Sequence, residues 1–283
     1  MPSKHWQARL SLNYRLQGGR TLCDFSHDGP LRVLQSLYPE GEGICHNVLV
    51  HPPAGLTGGD VLSIDVQVTA GAHGLITTPG ATRFYRSSGE PCAQRAVVHV
   101  AAGARLEWLP LENIAYSGCL AENALSIRLE PGAQMLGWDA SVLGLPASGL
   151  GFEQGYFLQS LHMPGVWQER GRVDASDQRL LNSPLGLNGK TCWGTVYLLR
   201  GEAWPYAERD ALLDAARDAI QSLPQGEGQG LTAGATSPHA QVMVVRVLAD
   251  SSEGAMNLCR GVWAAWRAQA WGLSGSAPRI WST

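Results

Sequence analysis

Residues 51–88 read HPPAGLTGGDVLSIDVQVTAGAHGLITTPGATRFYRSS. A Pro- and Gly-rich block ends on Asp60, and an alternating run follows in which Leu62, Ile64, Val66 and Val68 are apolar. Period-two alternation predicts a half-buried strand, because successive side chains leave opposite faces of the backbone. Gly71-Ala72 turns the chain into a second strand ending in LITT, and PGATRFYRSS then presents Arg83, Phe84, Tyr85 and Arg86. The reading is strand, turn, strand, with polar groups gathered at the turns.

The pattern recurs. Residues 62–78 (LSIDVQVTAGAHGLITT), 94–109 (QRAVVHVAAGARLEWL) and 123–138 (NALSIRLEPGAQMLGW) each place an alternating strand, a Gly-Ala pair and a second apolar strand in series. Gly71, Gly103 and Gly132 are spaced by 32 and 29 residues. A period of that size suggests stacked supersecondary units, none of which can bury its apolar face alone. Three ordinary hairpins in a sandwich would give the same pattern; we favour the stack.

Working outward, residues 6–16 alternate and predict a first strand, Gly18-Gly19 turns into a second, and ICHNVLV at 44–50 is a short apolar strand leading to His51. After the repeats, 165–183 predicts a strand pair and 192–200 a buried strand. The period changes after position 203. AERDALLDAARDAIQS (207–222) is helical, PQGEGQG stops it, 240–250 is a strand, and 254–271 is a second helix with Ser251 or Ser252 as N-cap. The closing RIWST is read as extended. The fold class is therefore mainly β: stacked, solenoid-like strands with a C-terminal helix–strand–helix unit, in one domain over 1–283 with a β-rich section 1–202 and a helix-containing section 203–283.

Composition narrows the function. The net charge is −3 and only 16% of residues are charged, which gives no electrostatic case for nucleic acid or an anionic membrane. Ten Trp in so charge-poor a chain suggest contact with a partner protein. Six Cys at long spacings, none in a CxxC pair, argue against a zinc cluster or a disulfide scaffold and fit a reducing cytoplasm. No secretory signal and no membrane-spanning apolar run is evident.

No GxGxxG, Walker, HExxH or GxSxG motif is present. The residues open to chemistry are scattered. Asp60 and Asp139 end or begin strands, as metal-relaying carboxylates or as turn caps. Glu107 alternates away from Leu106 and Trp108, toward solvent, whereas Glu112 lies in a loop past Pro110. His51 precedes two prolines. Arg83, Tyr85 and Arg86 fit either a partner contact or an internal clamp.

HPPAGLTGGD (51–60), TTPGATRFYRSS (77–88), LEWLPLENIAY (106–116) and PRIWST (278–283) resemble, in order and spacing, the urease accessory protein D family, UreD, also called UreH. The resemblance covers essentially the whole chain. HPPAG stands where the family often has HPPGG, and LPLEN where a Gln commonly takes the middle place. The resemblance implies a cytoplasmic, non-enzymatic scaffold that binds apo-urease and UreF, and through UreF the GTPase UreG, and helps deliver nickel through an internal passage. It implies no tightly bound cofactor, only transient Ni²⁺. Asp60 and Asp139 match acidic positions along that passage, and Ser88 with the 77–88 loop lies near it. Glu112 and His51 are further candidate ligands, and Arg83, Tyr85, Arg86 and Ser88 candidate passage or partner contacts. The competing reading is a hydrolase on a solenoid-like scaffold, with Asp60 and Asp139 or Glu112 as acid and base.

Overall fold

A computed structural model of the chain describes residues 5–223 and 230–282. The chain opens with a hairpin of β1 (Gln7–Gln17) and β2 (Arg20–Asp28), followed by β3 (Arg32–Val33) and β4 (Ile44–Val50). Three coils come next. The first runs from β5 (Val61–Val68) to β6 (His73–Thr77) and the short β7 (Thr82–Phe84). The second runs from β8 (Cys92–Val100) to β9 (Arg105–Leu109) and β10 (Asn113–Ala115), and the third from β11 (Cys119–Leu129) to β12 (Gln134–Leu143). A hairpin of β13 (Gly155–Met163) and β14 (Trp167–Asp174) follows, then α1 (Gln178–Asn182), β15 (Cys192–Arg200), α2 (Tyr206–Gln221), β16 (Thr232–His239), β17 (Val242–Ala249) and α3 (Ser252–Trp271).

The repeats are stacked coils. Hairpins would pair β5 with β6. Instead β5 lies parallel between β1 and β8 in one sheet, and β6 lies parallel between β4 and β9 in the other. The first sheet has the order β14-β13-β11-β8-β5-β1-β2, the second β16-β17-β15-β12-β9-β6-β4-β3, with β10 beside β12 and β7 beside β10. Each Gly-Ala pair is a corner where the chain crosses between sheets. All three glycines have positive φ (74°, 69° and 80°), a conformation that costs residues with a Cβ about 1–2 kcal/mol. Each corner closes with the same bond, Ala72 N–H to Thr69 O, Ala104 N–H to Ala101 O and Ala133 N–H to Glu130 O. The corners also bond to one another, through Arg105 N–H to Ala72 O and Gln134 N–H to Ala104 O.

Alternation then sets two cores. Inward side chains from both sheets, among them Leu12, Val66, Val98, Ile127 and Phe157 against Leu106, Trp108 and Tyr197, meet between the sheets. The outer face of the second sheet carries Trp138, Val196, Leu198 and Val245 and is covered by α3 through Leu258, Val262, Trp263 and Trp266. Ser251 is the N-cap of α3, its hydroxyl accepting from Gly254 N–H, and Gly272 at φ 64° ends the helix.

Several expectations change. The helix–strand–helix unit contains a hairpin, because β16 precedes β17; TAGATSPH lacks apolar alternation, and its Pro238 is tolerated at a sheet edge. Residues 165–183 supply one strand, β14, and then α1, capped by Asp177. The tail is not extended: Arg279–Ser282 form a 3₁₀ turn that seats Trp281 against Trp138 and Trp263, its indole N–H donating to Thr77. The helix stop lies largely in residues 224–229, outside the described residues.

Glu107 does leave the face opposite Leu106 and Trp108, but that face lies under α3 and the side chain is fully buried. Its carboxylate accepts from Trp263 Nε1 (2.6 Å), His73 Nε2 (2.8 Å) and Arg267 Nε (3.2 Å). Arg267, also fully buried, donates through both terminal nitrogens to Glu40 (2.6 and 2.8 Å) and to Ser274 O. Burial alone would raise the Glu40 carboxyl, but hydrogen bonds from His46 and Arg267 and the guanidinium charge outweigh it and hold it at about 2. Removing one member of such a set leaves a buried charge uncompensated, at a loss of about 3–5 kcal/mol. Arg267→Met therefore lowers the urea midpoint by an equivalent amount; a midpoint within error of wild type would remove Arg267 from the framework.

Candidate functional site

The loops of the opening stretch meet at one rim of the sandwich. The His51 turn closes with Ala54 N–H donating to His51 O (2.8 Å). Ala54 sits at φ 63°, in the left-handed region that favours glycine. Leu56 then pairs with the neighbouring loop, its N–H donating to Arg83 O (2.7 Å) and its carbonyl accepting from Tyr85 N–H (2.8 Å). Tyr85 stacks on Tyr116 at 4.9 Å and lies over Gly55, where a Cβ would come within 2.3 Å of its ring. Arg83 is half-buried, Arg86 is exposed and donates to Gln154 (3.0 Å), and Ser88 is exposed. Tyr85 and the Arg83 backbone thus clamp the two loops together, while Arg86 ties this rim to Gln154 and Ser88 is exposed.

Asp60 is buried and holds the base of this rim. Its carboxylate accepts from Trp6 N–H (2.7 Å) and Thr57 N–H (2.9 Å), which ties the TGGD turn to the start of β1. A cation there has to share oxygens already engaged by the backbone. His51 is half-buried, and its Nε2 is enclosed without a hydrogen-bond partner. Burial lowers its pKa, against the pull of the Asp60 charge, so the imidazole is neutral at neutral pH with an available nitrogen. It lines a cavity of about 310 Å³ whose walls include Leu49, Leu62 and Trp108 and whose polar lining includes Thr78, Thr82 and Gln94. Glu112 offers its carbonyl to Thr82 N–H, and its charge acts on the Cys192 thiol, in the core under α3.

Asp139 is placed differently. It projects from β12 into the space between the sheets. Its carboxyl accepts from Asn123 Nδ2 (2.6 Å), Asn113 Nδ2 (3.2 Å) and Ser141 Oγ (3.4 Å). Burial pushes this carboxyl up to about 7, with Glu169 adding to the shift and the three donors opposing it. Strand register extends the site into a row. In the first sheet Gln94, Asn123 and Gln159 are side by side on β8, β11 and β13. In the second, Asp139, Thr195 and Arg246 are side by side on β12, β15 and β17. Gln94 Nε2 donates to Asn123 Oδ1 (3.2 Å), Trp193 Nε1 to Gln159 Oε1 (2.7 Å), and Thr195 Oγ1 to Glu169 Oε1 (2.7 Å). The row begins at the His51 cavity, which Gln94 lines, and ends at a second cavity, lined by Gln159, Glu169, Thr195 and Arg246.

Sequence reading found Asp139 but not Asn123, Gln159, Thr195, Glu169 or Arg246. The signal was present: Asn123 and Gln159 fall in phase with the apolar positions of their own strands, and a polar residue in that phase faces the core. Among the described residues no three His, Cys, Asp or Glu side chains come together to hold a metal ion. Such a row offers weak, exchangeable oxygen contacts rather than a cage.

Two measurements test this site. Ala54→Gly relieves about 1–2 kcal/mol of left-handed strain against roughly 0.4–1 kcal/mol of added chain entropy; the expected outcome is a small rise in Tm, and a fall would refute the strain. Asp139 keeps in the native state a proton that the unfolded chain releases above its ordinary pKa of 3.8. Stability therefore falls as pH rises through the window from 3.8 to about 7, and the loss is complete above it. Asp139→Asn lacks this loss, so its Tm gains on wild type from about pH 4 to about pH 8. Parallel pH profiles would contradict the buried carboxyl.

Residues 7–282 match the family model described as UreD urease accessory protein. Among similar proteins, the urease accessory protein UreD of Variovorax paradoxus is 57% identical over 278 residues, 98% of this chain and 99% of its own length. Those of Paracidovorax citrulli and Leptothrix cholodnii are 58% and 51% identical, again over 98% of this chain and 99% of theirs. A family match of this extent, joined to relatives above half identity over nearly the full length, makes the chain a member of the UreD family of urease accessory proteins.

Proposed function

We propose that this chain acts in urease maturation as a non-enzymatic scaffold. It binds apo-urease and UreF, and through UreF the GTPase UreG, and passes nickel toward the urease active site through the space between its two sheets. The observation that carries the reading is the polar row around Asp139. An apolar sandwich core has no structural need for an acid, three carboxamides and hydroxyls aligned across it, and their burial costs stability. The row joins two cavities, and its groups are oxygen and amide donors that a divalent cation can exchange in turn. The unpartnered His51 nitrogen supplies a first ligand at the rim. Nickel here is cargo, held by no closed site.

The hydrolase reading lacks support. Two carboxyls facing one open groove are required, whereas Asp60 is occupied by backbone amides and Asp139 is enclosed between the sheets. The relatives carry the name accessory protein. Among the described residues no helix is long and apolar enough to cross a membrane.

The test is nickel counting in urease matured with purified UreF, UreG and either wild-type chain or Asp139→Asn. The variant is expected to enter the complex and leave urease nickel-poor. Normal nickel content in urease from an intact complex would return Asp139 to a structural role.

A further inference from the structure

The end of the row away from His51 is built unlike the rest of it. There a cavity of about 540 Å³ opens between β14 of the first sheet and β15, β17 and β16 of the second. Its walls are largely apolar, with Val173, Leu187, Trp193 and Leu248, and its charged groups are Glu169, Arg172 and Arg246. Arg172 is turned to its own strand, donating to Asp174 (3.0 Å) and lying over the Tyr156 ring at 3.8 Å. Glu169 and Arg246 face each other across the gap between the sheets. Glu169 Oε1 accepts from Thr195 Oγ1, and Oε2 accepts from Arg246 Nε (2.9 Å) and Nη2 (2.6 Å). Both oxygens of the last carboxylate on the row are therefore taken, one by a neutral hydroxyl and one by a cation.

We infer that Arg246 is the exit gate of the passage: its guanidinium occupies Glu169 and keeps a divalent cation from settling there until the side chain swings aside. This rests on the passage reading above and adds to it a residue that controls release. A guanidinium stays charged at any pH the protein meets, so the block is permanent while the ion pair holds. The pair is also easy to open. The Arg246 side chain is 48% exposed and that of Glu169 29%, and ion pairs so open to water are weak. In the same position Arg246 Nη1 lies 3.5 Å from Thr236 Oγ1 on the edge strand β16, so the guanidinium already reaches the solvent side of the cavity. The guanidinium thus spans from a carboxylate inside the cavity to an edge open to water, and a swing outward keeps it on that edge. A dication coming from Asp139 meets a positive charge first, and binds Glu169 only after that charge has left. Without the gate, Glu169 becomes a free, partly desolvated carboxylate at the end of an oxygen-lined route, and the cation is retained there.

The experiment uses the full chain with Ni²⁺ alone as probe, in equilibrium dialysis, followed by nickel counting in urease matured with the same variants. Arg246→Met is expected to bind Ni²⁺ about tenfold more tightly than wild type, the scale of removing one nearby positive charge, and to deliver less of it to urease. Arg246→Gln, which keeps a hydrogen-bond donor but no charge, gives the same result and serves if the Met variant does not fold. The double variant Glu169→Gln with Arg246→Met returns to wild-type affinity, because the retaining carboxylate is gone. Wild-type affinity and delivery in both single variants would overturn the gate and leave Arg246 as a brace between sheets. The two readings separate through Asp139→Asn. If that variant loads urease normally, the passage fails and the gate with it. If it starves urease while the Arg246 variants behave as wild type, the gate alone fails.

Discussion

The architecture turns on a charge placed where none should be stable. Glu107 comes from the middle of β9, between Leu106 and Trp108, and it points to the face of the second sheet that must be covered. An unpaired carboxylate buried there is prohibitive. Arg267 of α3, the Trp263 indole and His73 make it tolerable, and Arg267 then carries the same framework to Glu40 and His46 at the start of β4. One cation thus ties α3 to two points on the sheet, β9 through Glu107 and the approach to β4 through Glu40. The apolar contacts of Leu258, Val262 and Trp266 cover the sheet but are non-directional and could slide. The ionic set gives the helix a single position, and with it the seat of Trp281 and the C-terminal turn.

The same economy explains why the two acids singled out from sequence differ in the structure. The sequence pattern reads Asp60 and Asp139 alike, as acids at the ends of strands. Asp60 ends a turn, so backbone amides are within reach and satisfy it. Asp139 lies within β12, whose amides are committed to the ladders with β9 and β15, so only side chains can satisfy it. Those side chains are Asn113 and Asn123, which arrive from β10 and β11, and Ser141 from β12 itself. A polar group in the middle of a ladder recruits other polar groups, and the row follows from that requirement.

Much of the fold was legible because the stacking rule is local. Gly71, Gly103 and Gly132 mark the corners, the alternation between them assigns each face, and the resemblance carried by the HPPAGLTGGD and TTPGATRFYRSS segments pointed to the family now established. What stayed hidden was non-local. β16 has neither alternation nor β-branched runs to announce it, and exists because β17 offers it an open edge. Glu107 was aimed correctly but judged solvated, since nothing in RLEWL discloses that a helix from the far end of the chain lies over it. The row of Gln94, Asn123 and Gln159 is visible only when parallel register sets three strands side by side. Each polar residue looks isolated in its own segment.

The sequence separation within the Glu107–Arg267 contact has a consequence for synthesis. The two partners are 160 residues apart, and Arg267 lies in the last helix of the chain. The coils are synthesised before it, and each pairs with its neighbour in sequence. Their outer face then stands bare, with an uncompensated acid at its centre. The sheet acquires its cover only when the final helix leaves the ribosome. Until that moment Trp138, Val196, Leu198 and Val245 lack the helix that covers them, and Glu107 lacks Arg267.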